Sequence, residues 1–156
     1  MKKILVSQRI IENESYPETR EGLDLRWGSF FAGAGLIPCP VLSAYPSAEL
    51  FEQLEPAGVL LSGGNDLSQL SNTRLNVSRD KVDTKLLDQA VARNVPVLGV
   101  CRGMQFIAHY FDSTLEPVDK HIACDHNLEV NVDSRHAKLI SPCLLYTSDA
   151  ADVVSV

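Results

Sequence analysis

The run Gly99-Val100-Cys101-Arg102-Gly103 has the residue types for nucleophilic thiol chemistry. Pro96-Val97-Leu98-Gly99-Val100 reads as a buried strand and Met104–Tyr110 as a helix, so Cys101 falls in a strand-to-helix turn. A tight bend there lifts the side chain above the strand ends. Glycine two residues before and two after lets strand and helix approach closely. The helix N-terminus favours negative charge at the sulfur, and the thiolate is the species that attacks. The backbone N–H of Arg102 can donate to a developing oxyanion. The competing reading is an inert buried thiol, since cysteine is among the most buried residue types. The paired glycines weigh against it.

A second run, Leu61-Ser62-Gly63-Gly64-Asn65-Asp66, also follows a predicted strand. Successive N–H groups in a Gly-Gly turn can form a concave anion pocket. A Cys nucleophile needs an oxyanion hole, and two loops meeting above the strand ends would supply one. Taken alone, the run reads equally well as a plain turn.

The elements that would hold these loops alternate strand and helix. Ile4–Ser7 is an apolar strand. Tyr16–Arg26 is polar with turn signals. Trp27–Ala34 reads as the end of a helix closed by Gly33 and Gly35. Leu36–Val41, with Pro38 and Pro40, reads as an edge strand or a strand exit. Ser47–Leu54 is a short helix with Ser47 as its N-cap, and Gly58–Ser62 is a third strand. Asp80–Arg93 carries Val82, Leu86, Leu87, Ala90 and Val91 as an amphipathic stripe. Short apolar strands between helices imply an α/β fold, with a mostly parallel, doubly wound sheet covered on both faces.

The chain has 156 residues, enough for one domain with a real core. Its net charge of −6, with no basic cluster, argues against nucleic acid or an anionic membrane as partner. The amino-terminal apolar run is too short for a signal peptide, and no stretch has the ~20 apolar residues of a membrane span. The expected compartment is the cytoplasm. The four cysteines, Cys39, Cys101, Cys124 and Cys143, form no C-x-x-C pair, so neither a disulfide framework nor zinc is expected. His121, Cys124 and His126 lack a fourth ligand. No metal and no cofactor are expected.

Gly99-Val100-Cys101-Arg102-Gly103-Met104-Gln105 resembles the nucleophile motif of class I glutamine amidotransferases. Arg102 and Met104 resemble the hydrolase branch, the gamma-glutamyl-gamma-aminobutyrate hydrolase-like (peptidase C26) group. Ser62-Gly63-Gly64-Asn65-Asp66 is similar to that branch's oxyanion loop. Val6-Ser7-Gln8-Arg9, His109-Tyr110-Phe111 and Glu116-Pro117-Val118-Asp119 are familial too, and the likeness runs to about residue 140. It implies a flavodoxin-like fold and a thiol hydrolase of gamma-glutamyl amides, with Cys101 as nucleophile. It implies oxyanion donors around Gly63, Gly64 and Arg102, and Gln105 holding the gamma-glutamyl group. Asn65 and Asp66 would shape the pocket rim. The partner is a small-molecule gamma-glutamyl amide; a homodimer stays open.

The chain departs from the family in two places. Asp112-Ser113 stands where Gly-Gly is common, and no His-Pro-Glu-type motif supplies the family's catalytic His and Glu. Of the four histidines, His109 is expected to face away from the crevice, and His121, His126 and His136 have no clear role as a base. From Cys143 the sequence resembles translated sequencing adapter. The expected organisation is a partial hydrolase domain over 1–142 and a non-native tail over 143–156. Such a fragment should be inactive and should expose an apolar sheet edge. Two alternatives stay open: a glutaminase subunit supplying ammonia to a synthetase, and a non-catalytic flavodoxin-like module.

Overall fold

The computed structural model describes residues 1–115 and 153–155. In chain order the elements are β1 (Lys2–Val6), β2 (Arg9–Glu12), β3 (Thr19–Gly22), α1 (Arg26–Gly33), β4 (Leu36–Pro40), α2 (Ser47–Leu54), β5 (Gly58–Leu61), α3 (Arg74–Ala92), β6 (Val97–Val100), α4 (Arg102–Tyr110) and β7 (Val153–Ser155). The main sheet has the order β4-β1-β5-β6-β7, with the first four strands parallel. Leu5 lies between Cys39 and Val59, and Val59 between Leu5 and Val97.

Alternation along each strand sends neighbouring side chains to opposite faces. Leu5, Val59 and Leu61 face one side, where they pack with Phe51 of α2, Leu86, Leu87 and Ala90 of α3, and Phe106 and Ile107 of α4. Val6 and Leu60 face the other side, against Phe31 and Trp27 of α1. Both faces of the sheet are covered, as the continuous apolar strands require. All four residues of β5, at the centre, are buried. Among the described residues β4 pairs only with β1, which puts the proline-flanked strand at the sheet edge there.

Five sequence expectations need correction. The polar stretch before α1 contains an antiparallel hairpin, in which β2 and β3 pair with Ile10 opposite Glu21. Its strands are short and mostly exposed, so they carry no apolar run to signal them. The long helix α3 begins at Arg74, six residues before Asp80, because Thr73 caps it by accepting from the N–H of Asn76 at 3.2 Å. Val91, placed on its buried stripe, is exposed. In α2 the N-cap is Pro46 and Ser47 is the first helical residue, with no side-chain cap.

The fifth correction concerns the sheet edge. The far side of β6 is paired: β7 lies antiparallel along it, with Gly99 opposite Val154. An open parallel edge presents a row of N–H and C=O groups to any extended segment, and Val-Val-Ser suits a strand. The other residues of 143–156 lie outside the described residues, as do His121, Cys124, His126 and His136. No helix among the described residues is long and apolar enough to cross a membrane.

α4 approaches β5 closely at Gly103. A β-carbon on Gly103 would stand 2.0 Å from the Leu61 carbonyl oxygen, a backbone atom that cannot move aside. Gly103→Ala should therefore cost about 3 kcal/mol or more, or prevent folding. On α1 a β-carbon at Gly28 would meet nothing within 4 Å. Gly28→Ala should leave stability unchanged or raise it by up to about 1 kcal/mol. Urea unfolding of both variants checks the contrast.

Candidate active site

Cys101 has φ 54° and ψ −114°, between the end of β6 and the first residue of α4. Such backbone in a residue with a β-carbon costs about 1–3 kcal/mol and persists only where the surroundings over-determine it. The surroundings are the two flanking glycines. A β-carbon on Gly99 would stand 2.6 Å from the Met104 nitrogen, and Gly103 presses on Leu61 as described. No larger residue fits either place, so strand and helix meet at a sharp angle with Cys101 at the vertex.

The second loop meets this vertex. A β-carbon on Gly63 would lie 3.2 Å from Cys101 Cβ and 3.6 Å from its Sγ. Only a residue without a side chain leaves the half-buried thiol open on that side. Gly64 follows with φ +84°, a left-handed conformation that suits glycine. Its N–H has no acceptor among the described residues. At the start of α4, the N–H groups of Met104 and Gln105 both donate to the Cys101 carbonyl, at 3.0 and 3.2 Å. The N–H groups of Arg102 and Gly103 precede the first helical acceptor, as in any helix. The structure thus brings Gly63, Gly64, Cys101 and the Arg102 N–H into one corner. Gln105 is on the first turn of α4, half-buried.

The other proposed rim residues have structural partners. Asn65, at φ 60°, accepts from the Ile10 N–H at 2.8 Å and donates to the Ile10 carbonyl at 2.9 Å. Its amide thus mimics a strand partner and fastens β2 to the Gly-Gly loop. Asp66 is exposed, and its carbonyl accepts from Arg102 Nε at 3.4 Å.

Beneath the loops lies a buried ionic cluster with balanced charge. Arg79, fully buried, donates to Asp83 at 3.1 Å, to Ser7 Oγ at 2.7 Å and to the Ser62 carbonyl at 3.0 Å. Arg102, 1 % exposed, donates to Asp83 and to Asp80, and its guanidinium lies 5.5 Å from the Phe106 ring centroid. Asp80 also accepts from the Ser68 N–H at 2.9 Å. Ser62 donates its hydroxyl to the Ser7 carbonyl at 2.6 Å. Burial pulls the Arg79 pKa below its ordinary value; Asp83 opposes that shift and Arg102 adds to it. The cluster ties the ends of β1, β5 and β6 to one helix, and these ends carry both loops.

This cluster is absent from the expectations above. Its signal was present: Asn76, Arg79 and Asp83 continue the buried stripe of Leu86, Leu87 and Ala90 at spacings of three and four. Polar residues in line with an apolar stripe mark a face that turns inward onto partners.

The Peptidase C26 family model matches residues 12–141. The chain belongs to this family. Relatives bear out the wider resemblance to glutamine amidotransferases. The chain is 41% identical over 120 residues to the gamma-glutamyl-CDP-amidate hydrolase of Campylobacter jejuni, covering 75% of this chain and 59% of that protein. It is 33% identical over 86 residues to the glutamine-hydrolyzing GMP synthase of Wolinella succinogenes, covering 54% of this chain and 14% of that one. The match to the Chlamydia caviae GMP synthase is 35% over 78 residues, with 50% and 13% covered. The chain thus spans about three-fifths of the Campylobacter protein. As a C26 member it has the α/β architecture, the elbow and the Gly-Gly loop in mutual contact.

Asp83 holds two guanidinium groups at once, so removing its charge leaves Arg79 without an ion pair among the described residues and Arg102 with Asp80 alone. Asp83→Asn should destabilise the fold by about 3–5 kcal/mol. Glu12→Gln, which breaks an exposed pair with Arg74, should change stability by less than about 1 kcal/mol. Chemical denaturation of the two variants measures both.

Proposed function

We propose that this chain carries the nucleophile half of a thiol hydrolase that cleaves gamma-glutamyl amides. The observation that supports it most is the strained backbone of Cys101, wedged between two glycines and faced by a third. A protein with an incidental cysteine has no reason to hold this conformation, which weighs against a non-catalytic module.

In this reading Cys101 Sγ attacks the side-chain amide carbonyl, forming the C–S bond as the carbonyl electron pair moves onto oxygen. The N–H groups of Gly64 and Arg102 donate to that oxyanion, and the start of α4 faces the charge. Collapse breaks the C–N bond, and the amine leaves with a proton. Water then attacks the thioester, releasing glutamate and restoring the thiol. Gln105, on the first turn of α4, holds the glutamyl group. Asn65 secures the rim by anchoring β2, with Asp66 beside it.

The departing amine needs a proton donor. Among the described residues the one histidine is His109, exposed in the last turn of α4. Eight helical residues place it about 12 Å along the axis from Cys101. His121, His126 and His136 lie outside the described residues, and the sequence holds no His-Pro-Glu-type motif. In this reading the donor belongs to sequence beyond a partial domain of 1–142, with 143–156 a non-native tail. The chain as it stands is then inactive or nearly so. The substrate is a small cytoplasmic gamma-glutamyl amide. The name of the Campylobacter relative favours a nucleotide amidate as the group on the amine side.

The similarity to glutamine-hydrolyzing GMP synthases supports a second reading, a glutaminase that feeds ammonia to a synthetase. It requires activity that depends on a co-purifying synthetase.

The test uses the full-length protein from the natural locus. Cys101→Ser should abolish turnover of gamma-glutamyl amides, a loss of at least about 1000-fold, while Cys39→Ser retains it. Full turnover by Cys101→Ser contradicts the mechanism. The 156-residue chain matching the full-length rate contradicts the partial-domain reading.

A further inference from the structure

The residue that faces the Gly-Gly loop from the hairpin is a cation. A β-carbon on Gly64 would stand 2.9 Å from Arg9 Nε, 3.0 Å from its Cβ and 3.3 Å from its Cδ. The arginine stem therefore lies along Gly64, which follows the Gly63 that faces the thiol and whose N–H has no acceptor among the described residues. Two fixtures hold it there. Arg9 pairs with Gly22 in the hairpin, and the next residue, Ile10, is clasped on both backbone groups by Asn65 of the same loop. Arg9 is exposed, and it makes no ion pair or side-chain hydrogen bond among the described residues.

The other arginines of the site differ. Arg79 and Arg102 are buried and spent on Asp80 and Asp83. Arg74, on the hairpin's far end, is held by Glu12 at 2.7 Å. Arg9 thus offers a guanidinium with no partner among the described residues, on a fixed stem, in a chain whose net charge of −6 repels anions. A guanidinium fork matches carboxylate and phosphate oxygens in a bidentate way.

We infer that Arg9 is an anion-reading residue of the active-site rim, binding a carboxylate or phosphate oxygen of the substrate as the amide is presented to Cys101. This rests on the proposed role of Cys101. The neighbouring loop residues place Arg9 on the order of 10 Å from the thiol. That is close enough to draw in an anionic group and far enough to stay out of the bond-making step.

Alkylation of the thiol tests this without requiring turnover. The 156-residue chain is treated with iodoacetate, an anion, or iodoacetamide, its neutral counterpart, at low salt, and modification of Cys101 is followed by peptide mapping. The iodoacetate-to-iodoacetamide rate ratio should fall about two- to ten-fold in Arg9→Gln and be retained in Arg9→Lys. The difference should vanish near 1 M salt, where the screening length is about 3 Å. An unchanged iodoacetamide rate in Arg9→Gln shows that the elbow is intact. L-glutamate and inorganic pyrophosphate are then added separately as protectants against iodoacetamide. The one whose protection is lost in Arg9→Gln names the carboxylate or the phosphate as the group read. Equal rate ratios in wild type and Arg9→Gln at low salt overturn the proposal. Labelling of Cys101 by both reagents no faster than Cys39 overturns instead the nucleophile reading, and the proposal falls with it.

Discussion

Asp83 accepts from two buried guanidinium groups, one on its own helix and one on the residue after Cys101. Each arginine then reaches a different part of the site. Arg79 holds Ser7 and Ser62, at the ends of β1 and β5. Arg102 holds Asp80 and the Asp66 carbonyl, which fixes the far end of the Gly-Gly loop. Two charges of each sign in the interior are costly to desolvate, and their pairing with one another and with backbone groups offsets that cost. The arrangement contributes relative position more than net stability. Three strand ends and two loops are referred to one helix.

Position matters because the elbow is under strain. Cys101 holds a backbone conformation that an unrestrained residue would leave. Two close approaches prevent its relaxation: Gly99 against Met104, and Gly103 against Leu61. The central strand β5 thus serves twice. Its side chains build both cores, while its last carbonyl supports α4. Above it, Gly63 leaves the sulfur uncovered and Gly64 turns its N–H free. The free N–H groups come from backbone that a strand or helix interior would have consumed.

Legibility in the sequence followed the physics of each element. β1, β5 and β6 were evident because continuous apolar runs bounded by glycine or proline have few other uses. The elbow was evident because glycine spacing around Cys101 encodes steric contact directly. The hairpin was not, since its polar strands are held by tertiary ties: Asn65 to Ile10, and Arg74 to Glu12. The first turns of α3 were missed for a related reason. Arg79 and Asp83 look like surface residues until their partners, Ser7, Ser62 and Arg102, are brought in from elsewhere in the chain. The tail shows the limit of composition: an open edge on β6 accepted Val153–Ser155 as a strand.

The central claim is that Cys101 becomes covalently acylated. The direct measurement mixes protein with a gamma-glutamyl amide, quenches in acid within the first turnover, and maps the peptides by mass. The expected result is a gamma-glutamyl mass increment on the peptide containing Cys101, lost on treatment with hydroxylamine as a thioester is. Release of glutamate with no adduct on Cys101, or with the adduct on Cys39, would contradict it.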